Sequence, residues 1–246
     1  MERTGWICTA IRSRTRDGLA RARAALPGQW IGDTWDDAAP WPETGLIVVT
    51  VPDREIVRVG ERLGRDDAPW APVVLHTSGF RPSADLGACR TRGMDVGSWH
   101  PLQTFPRYAM PPEVFREIHC AIEGDPVATG VGTELAHNLG MHAWFIDPDS
   151  KPLYHAAAAV AANLPHILIV AAKRCLIEAG FDPAAAGSAL ATMVHASVTA
   201  ALEAQAFEAL TGPVSRGDWA TVAAHRASLP VPLADVYAAI VRLVED

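Results

Sequence analysis

The chain has few cysteines, and they do not form metal or redox motifs. Its 246 residues include four, Cys8, Cys89, Cys120 and Cys175, with no C-x-x-C pair, so a zinc ribbon or a thioredoxin-like site is not expected. Scattered thiols are typical of a reducing compartment, and the first residues do not form a signal peptide. We therefore expect a cytoplasmic protein without a metal site.

Positive charge and long apolar runs are also scarce. Lys and Arg number 21 against 28 Asp and Glu, which gives a net charge of −7. Broad nucleic-acid binding needs a basic surface, so no nucleic-acid partner is expected. No run of 18 apolar residues occurs, and a membrane span is not expected. The apolar share of 49% is typical of a globular protein.

A dinucleotide-binding fingerprint is missing as well. A G-x-G-x-x-G turn should follow a strand and open a helix. The nearest match, at residues 130–135, lacks the last glycine and stands apart from the preceding strand. We interpret it as two glycines inside a helix. On this pattern alone, the first half is an α/β sheet of unknown purpose.

The pattern of the sequence changes near residue 147. Before it, short β-rich runs alternate with helical stretches, which predicts βαβ units and a parallel sheet. The predicted strands are residues 6–11, 45–51, 73–77, 94–100, 119–124 and 141–146. After it, long helices are predicted over 150–180 and 181–205, followed by two more. We predict two domains, an α/β domain over 1–147 and an all-helical domain over 148–246.

Polar residues follow several predicted strands. Ligands of open parallel sheets bind beyond the carboxyl ends of the strands. The tracts are Arg12–Ser13–Arg14, residues 50–53, residues 76–79 and residues 98–105. From composition alone, the arginines also fit a solvated helix start, and a single histidine also fits a satisfied core residue.

The long predicted helix begins with a second polar group. Lys151 and His155 are spaced i, i+4 and share one helix face. Asn163 follows His155 by eight residues, which places it about 12 Å further along the helix axis on nearly the same side. The alternative is a lysine that snorkels to solvent and two polar residues satisfied by their neighbours.

Five motifs, in this order and spacing, carry a family resemblance: HTSG, GSWHPLQTF, AIEGD, KPLYHAAAAVAAN and LTGPVSRGD. Nearly the whole chain resembles a bacterial family of predicted oxidoreductases that join a Rossmann-like NAD(P) domain to domain of unknown function 2520. Its fold is similar to that of pyrroline-5-carboxylate reductase, ketopantoate reductase and 6-phosphogluconate dehydrogenase. The resemblance implies a Rossmann-like parallel sheet followed by an all-α, 6-phosphogluconate-dehydrogenase-like domain.

The chain departs from the family at its start. Family members begin with a strand, a glycine-rich turn and a helix, and the first strand of this chain matches their second. We therefore expect an N-terminally incomplete Rossmann-like sheet, through a start codon assigned too late or through real loss. An in-frame G-x-G-x-x-G upstream would favour an enzyme.

The resemblance also implies roles for the polar tracts. The 2′-phosphate of NADP would contact Arg12, Ser13 and Arg14, so the resemblance favours NADP over NAD as the cofactor. The nicotinamide side would be lined by Val51, Pro52, His76, Thr77, Ser78 and Gly79. The substrate would face His100, Gln103, Thr104 and Asn163. Lys151 is the expected proton donor, with His155 assisting and His100 as the rival donor.

We expect an NADP-dependent oxidoreductase acting on a small carbonyl or imine, with a ketopantoate-like 2-keto acid as the first candidate. The alternatives are a non-catalytic nucleotide sensor and a degenerate dimeric scaffold, both favoured by the missing turn. The first long helix is apolar on most of its surface and must be buried, which predicts a homodimer built on the helical domain.

Overall fold

The structure, a computed structural model, describes residues 5–25, 31–34, 42–68, 70–105, 111–204 and 207–245. It divides into two compact units, Met1–Ala159 and Val160–Asp246. The first unit contains β1 (Ala10–Ser13), α1 (Arg16–Ala25), β2 (Ile31–Thr34), β3 (Leu46–Val49), α2 (Ile56–Leu63), β4 (Val73–His76), α3 (Gly87–Thr91), β5 (Asp95–Pro101), β6 (His119–Gly124), α4 (Pro126–Asn138), β7 (His142–Phe145) and the start of α5 (Lys151–Glu178). The second contains the rest of α5, α6 (Pro183–Glu203), α7 (Trp219–Ser228) and α8 (Val231–Glu245).

The main sheet has five strands in the order β3-β4-β5-β6-β7, and β1 and β2 form a separate parallel pair. The pairs β3–β4, β4–β5 and β6–β7 are parallel, whereas β5 and β6 are antiparallel. Ser98 lies opposite Glu123 and His100 lies opposite Ala121. The carboxyl ends of β3, β4 and β5 therefore share an edge with the start of β6. We call this side the ligand edge.

The predicted parallel sheet is observed except at the β5–β6 step, which is antiparallel. A parallel connection needs a crossover element, usually a helix. In the described part of the chain between β5 and β6, the only such element is the 3-10 turn Pro112–Phe115. Two further differences are local: β1 begins at Ala10 rather than at residue 6, and β2 was not predicted.

The core of the first unit buries β4, an interior strand that lies between β3 and β5. All four residues of this strand are buried, and alternate side chains point to opposite faces. Val74 packs on one face with Leu63 of α2, while Leu75 packs on the other face with Ala128 of α4. Helices thus cover both faces, as the continuous apolar character of such strands predicts. The Rossmann-like class predicted for this half is confirmed.

The two glycines at 130 and 132 lie inside α4, as interpreted from the sequence. Gly132 permits a close approach, since a Cβ there would lie 3.3 Å from Trp99 Cδ1. The Trp99 indole N–H donates to the Gly132 carbonyl over 2.9 Å. Gly132 therefore packs α4 against β5, whereas nothing lies within 4 Å of a Cβ at Gly130, and both glycines lie inside the helix rather than in a turn that opens one.

The regular elements described in the second unit are all helices, joined by loops, and α5 continues as a helix through Pro165. Among the residues of this unit that the structure describes, the buried ones are Ala186, Leu190 and Ala234. By length and composition alone, α5 with its preceding turn (Pro148–Glu178) and α6 are long and apolar enough to cross a membrane. The apolar surface of this unit is thus mostly uncovered in one chain.

Candidate functional site

A histidine and a tyrosine meet at the ligand edge. Strand β5 carries His100 near its carboxyl end, and the first turn of α5 carries Tyr154. His100 Nδ1 and the Tyr154 hydroxyl are 2.8 Å apart, with the rings edge to face at 5.6 Å. The ring centres of His155 and His100 are 6.2 Å apart, and those of Phe80 and His155 are 6.1 Å apart. We call these four side chains the ring cluster.

The protonation of the pair follows from its burial. Desolvation, followed by the charges of Lys151 and His155, lowers the pKa of His100 to about 4, against an opposing contribution from Asp53. Burial raises the pKa of Tyr154 to about 12. At neutral pH both groups are uncharged and together carry two hydrogens. One hydrogen joins them, and the other is left for a ligand, on His100 Nε2 or on the Tyr154 oxygen according to the tautomer.

Gly79 forms the floor beneath His100. A Cβ at this position would lie 2.7 Å from His100 Cε1 and 2.8 Å from Nε2. Since real Cβ atoms do not approach so closely, the ring can occupy its place only because residue 79 has no side chain.

Gly79→Ala is therefore expected to push His100 from its place and to lower the free energy of unfolding by about 1–3 kcal/mol, as overpacking does. Urea unfolding measures the loss. Gly87→Ala is the matched control, because nothing lies within 4 Å of a Cβ there, and a change within about 0.5 kcal/mol is expected. Equal stability of the two variants would contradict the close approach.

Beneath the ring cluster lies a buried polar group that we call the Lys151 network. Lys151 is 0% exposed, and its ammonium donates to the Ser98 hydroxyl over 2.6 Å and to the Ser78 carbonyl over 3.1 Å. Glu123, 4% exposed, lies 3.7 Å from the ammonium. Its carboxylate accepts the Ser83 N–H and hydroxyl, each over 2.7 Å. Burial lowers the pKa of Lys151, and the Glu123 charge opposes this.

His76 is completely buried at the end of β4. Its Nδ1 accepts the Ser78 N–H over 3.2 Å, and its Nε2 has no hydrogen-bond partner in the described part of the chain. Desolvation lowers the pKa of His76 to about 4, with the Pro82 backbone opposing this. A neutral imidazole with an unsatisfied nitrogen is uncommon in a protein interior, and His76 lies beneath the ligand edge rather than on its surface.

The other residues predicted to bind a cofactor lie at two places. Val51, Pro52, Thr77 and Gly79 follow β3 and β4 at the ligand edge. Ser78 is there too, but its hydroxyl accepts the N–H groups of Phe80 and Arg81 and its carbonyl accepts Lys151.

Arg12, Ser13 and Arg14 lie instead at the end of β1, in the two-stranded sheet. Arg14 is exposed, Arg12 interacts within the chain, and the Ser13 hydroxyl accepts the Thr15 N–H over 3.4 Å.

The residues predicted to meet the substrate are also divided. Gln103 and Thr104 are exposed beyond β5 and bonded to each other, the Gln103 side-chain carbonyl accepting the Thr104 N–H over 2.8 Å. Asn163 is exposed and belongs to the second unit. The structure therefore brings His100, Lys151 and His155 to one edge, while the assigned roles of all these residues remain predictions.

Sequence reasoning missed Tyr154, Glu123 and Phe80. Tyr154 follows Lys151 by three residues, so the two share a helix face, and this spacing was the available signal. Glu123 lies within the AIEGD motif, but its pairing with Ser83, 40 positions earlier, leaves no local pattern.

Several solved structures share the fold. A Bacteroides fragilis protein described as a candidate NADP oxidoreductase matches at a TM-score of 0.79 and 18% identity, over 98% of this chain and 90% of that chain. Protein TM1727 from Thermotoga maritima matches at 0.68 and 26%, over 95% and 87%. An imine reductase from Myxococcus stipitatus in complex with NADP+ matches at 0.65 and 12%, over 97% and 86%.

No curated protein matches the sequence. Residues 118–244, just over half of the chain, match the family described as domain of unknown function 2520. This match includes Lys151, Tyr154 and Glu123, together with most of the helices that follow the sheet. With its Rossmann-like sheet and helical second unit, the chain belongs to the domain of unknown function 2520 family.

Proposed function

We propose that the protein is an NADP-dependent oxidoreductase that reduces a carbonyl or an imine of a small substrate. The observation that carries the proposal is the His100–Tyr154 pair, which keeps a hydrogen for a ligand at the edge where open α/β sheets bind ligands. The shared fold with an imine reductase in complex with NADP+ supports it.

The ligand edge fits a nicotinamide. Val51 and Pro52 follow β3, and Thr77 and Gly79 follow β4. Val51, Pro52 and Thr77 are at least partly exposed there and offer a mainly apolar surface. NADPH supplies a hydride when bound, while the protein binds and orients the reactants.

The protein itself would supply the proton donor for the substrate atom that becomes negative during reduction. Hydride arrival places negative charge on the substrate oxygen or nitrogen, which then needs a hydrogen-bond donor. A neutral imidazole can act as such a donor, and the His100–Tyr154 pair presents one. Lys151 was the first choice from sequence. The pair is favoured over it because the Lys151 ammonium is wholly buried and engaged by Ser98 and Ser78.

A nucleotide sensor is the second candidate, because the same ligand edge would also serve a protein that binds a nucleotide without transferring a hydride. Thermal unfolding with NADPH, NADH or neither, followed by NADPH consumption with a cyclic imine, an aldehyde and a 2-keto acid, separates the candidates. Stabilisation with consumption supports the enzyme. Stabilisation without consumption supports the sensor. If NADPH neither stabilises the protein nor is consumed, the result supports the scaffold.

Arg12→Ala/Arg14→Ala is expected to abolish a preference for NADPH over NADH, because charge-assisted hydrogen bonds to the 2′-phosphate would be lost. Titration of each cofactor into both proteins measures the ratio of dissociation constants. Arg21→Ala/Arg23→Ala on α1 is the control and should keep the preference. A double variant at 12 and 14 that still discriminates would place the reading of the phosphate elsewhere.

We further propose a homodimer through α5. Val160, Leu164 and Ile167 form an i, i+4, i+7 stripe that is exposed in one chain, with Val160 at 60% and Ile167 at 61%. Large uncovered apolar patches mark interaction surfaces. Light scattering is expected to give a dimer in detergent-free buffer and a monomer for Ile167→Glu, while Val127→Glu on α4 stays dimeric. A monomeric parent, or a parent that requires detergent, would refute this.

A further inference from the structure

The Lys151 network has a geometric relation to the ring cluster. On β5, Ser98 and His100 are two positions apart and therefore lie on the same face of the strand. On α5, Lys151 and Tyr154 are three positions apart and therefore share a face of the helix. Lys151 contacts Ser98, and Tyr154 contacts His100. The two contacts are successive layers between the same strand and the same helix.

The Lys151 network connects more helices, strands and loops than the His100–Tyr154 contact does. Through hydrogen bonds, the Lys151 ammonium connects the start of α5 to β5 and to the loop after β4. Through Glu123, it also faces β6 and the 3-10 turn Ser83–Leu86. The Ser98 hydroxyl in turn donates to the Ser78 carbonyl over 3.1 Å. The first turn of α5 is thus held at this edge of the sheet by one buried side chain.

Stability alone does not account for this arrangement. A buried ion pair is often no more stabilising than apolar side chains of similar volume, because both charges lose their hydration. A buried polar contact does, however, select one register over its neighbours, since a shifted helix would leave an unpaired charge in the interior. The Lys151 network therefore selects one register of the helix against the strand, which a layer of apolar side chains would not do.

We propose that Lys151 and Glu123 are positioning residues: they fix the register of the first turn of α5 against β5 so that the Tyr154 hydroxyl meets His100. The proposal rests on the function above for its catalytic consequence, but the positioning itself is independent of any substrate. Lys151 acts through Tyr154 and His100 and donates no proton to the substrate.

The test uses the full chain and the double variant Lys151→Met/Glu123→Gln, which removes both charges and leaves neither unpaired. The first readout is the NMR signal of the His100 ring, with and without Tyr154→Phe, at neutral pH and without ligand. In the parent, Tyr154→Phe shifts this signal because it removes the hydrogen bond. In the double variant, the same change is expected to shift it little or not at all. An equal shift in both backgrounds would overturn the proposal.

The second readout is reductase activity with the best substrate of the panel. The double variant is expected to lose at least about tenfold in kcat with KM for NADPH nearly unchanged, since small misplacements of reacting groups have large effects on rate. A lower kcat with an unchanged response of His100 to Tyr154→Phe would show that Lys151 is the proton donor and overturn the proposal. If no variant has activity, the proposed function fails, and the NMR comparison still decides the positioning.

Ser98→Ala guards against poor folding of the double variant. It removes one acceptor of the Lys151 ammonium and only one hydroxyl from the core, and it is expected to weaken the response of His100 to Tyr154→Phe. Arg90→Met, which removes an exposed ion pair with Asp125, is the control and should leave that response intact. A Ser98→Ala protein that responds like the parent would contradict the proposal.

Discussion

Tyr154→Phe and His100→Ala are each expected to lower kcat about 100-fold or more, the usual factor for removing a positioned acid–base group. The two side chains share one hydrogen-bonded pair, so the double variant should be hardly slower than the worse single variant, as for residues that act as a unit. Steady-state NADPH oxidation measures the effect. NADPH affinity should change little, because neither group is assigned to the cofactor.

The chain offers a matched control for this pair. His225 and Tyr237, on α7 and α8, have Nδ1 and hydroxyl 3.2 Å apart and their rings 6.0 Å apart. Tyr237→Phe should leave kcat unaltered. A full loss in Lys151→Ala, with normal rates in Tyr154→Phe and His100→Ala, would return the proton donor to Lys151.

Lys151→Met is expected to lower the free energy of unfolding by about 3–5 kcal/mol, the usual effect of removing one partner of a buried ion pair. The variant leaves the Glu123 carboxylate buried with Ser83 as its partner. Adding Glu123→Gln should recover most of the loss, because no unpaired charge then remains. Urea unfolding of the three proteins measures both effects.

The exposed pair of Arg90 and Asp125 sets the scale for that experiment. Their nearest atoms are 3.0 Å apart, but the Arg90 side chain is 47% exposed. Arg90→Met should therefore reduce stability by less than about 1 kcal/mol. Equal losses in Lys151→Met and Arg90→Met would mean that Lys151 is not buried in solution.

The central strands could be predicted from sequence because their apolar runs are local. Strand β6 was predicted over 119–124 and occupies those residues. The direction of β6 was not predictable in this way, since a strand carries the same pattern in a parallel and an antiparallel pair. The β1–β2 pair was missed in part because β2 is four residues long and has no clear apolar alternation.

The site could be predicted at the level of its edge but not of its contacts. Polar residues after β4 and β5 indicated the ligand edge, and His100 lies there. Burial of Lys151 was not foreseen, because lysine is rarely buried without a partner. Its partner Glu123 is 28 positions earlier in the chain, and Tyr154 meets His100 over a separation of 54 positions. The contacts of the first turn of α5 with the ligand edge bring these residues together.

Transfer of deuterium from NADPH that has deuterium in place of both hydrogens on C4 of the nicotinamide tests the central claim most directly. With the cyclic imine, aldehyde or 2-keto acid that the protein accepts, the account predicts one deuterium on the former C=N or C=O carbon of the product. Tyr154→Phe should give the same labelled product at a lower rate. Product without deuterium, or no reduction of any of the three classes by a protein that binds NADPH, would contradict hydride transfer at this edge.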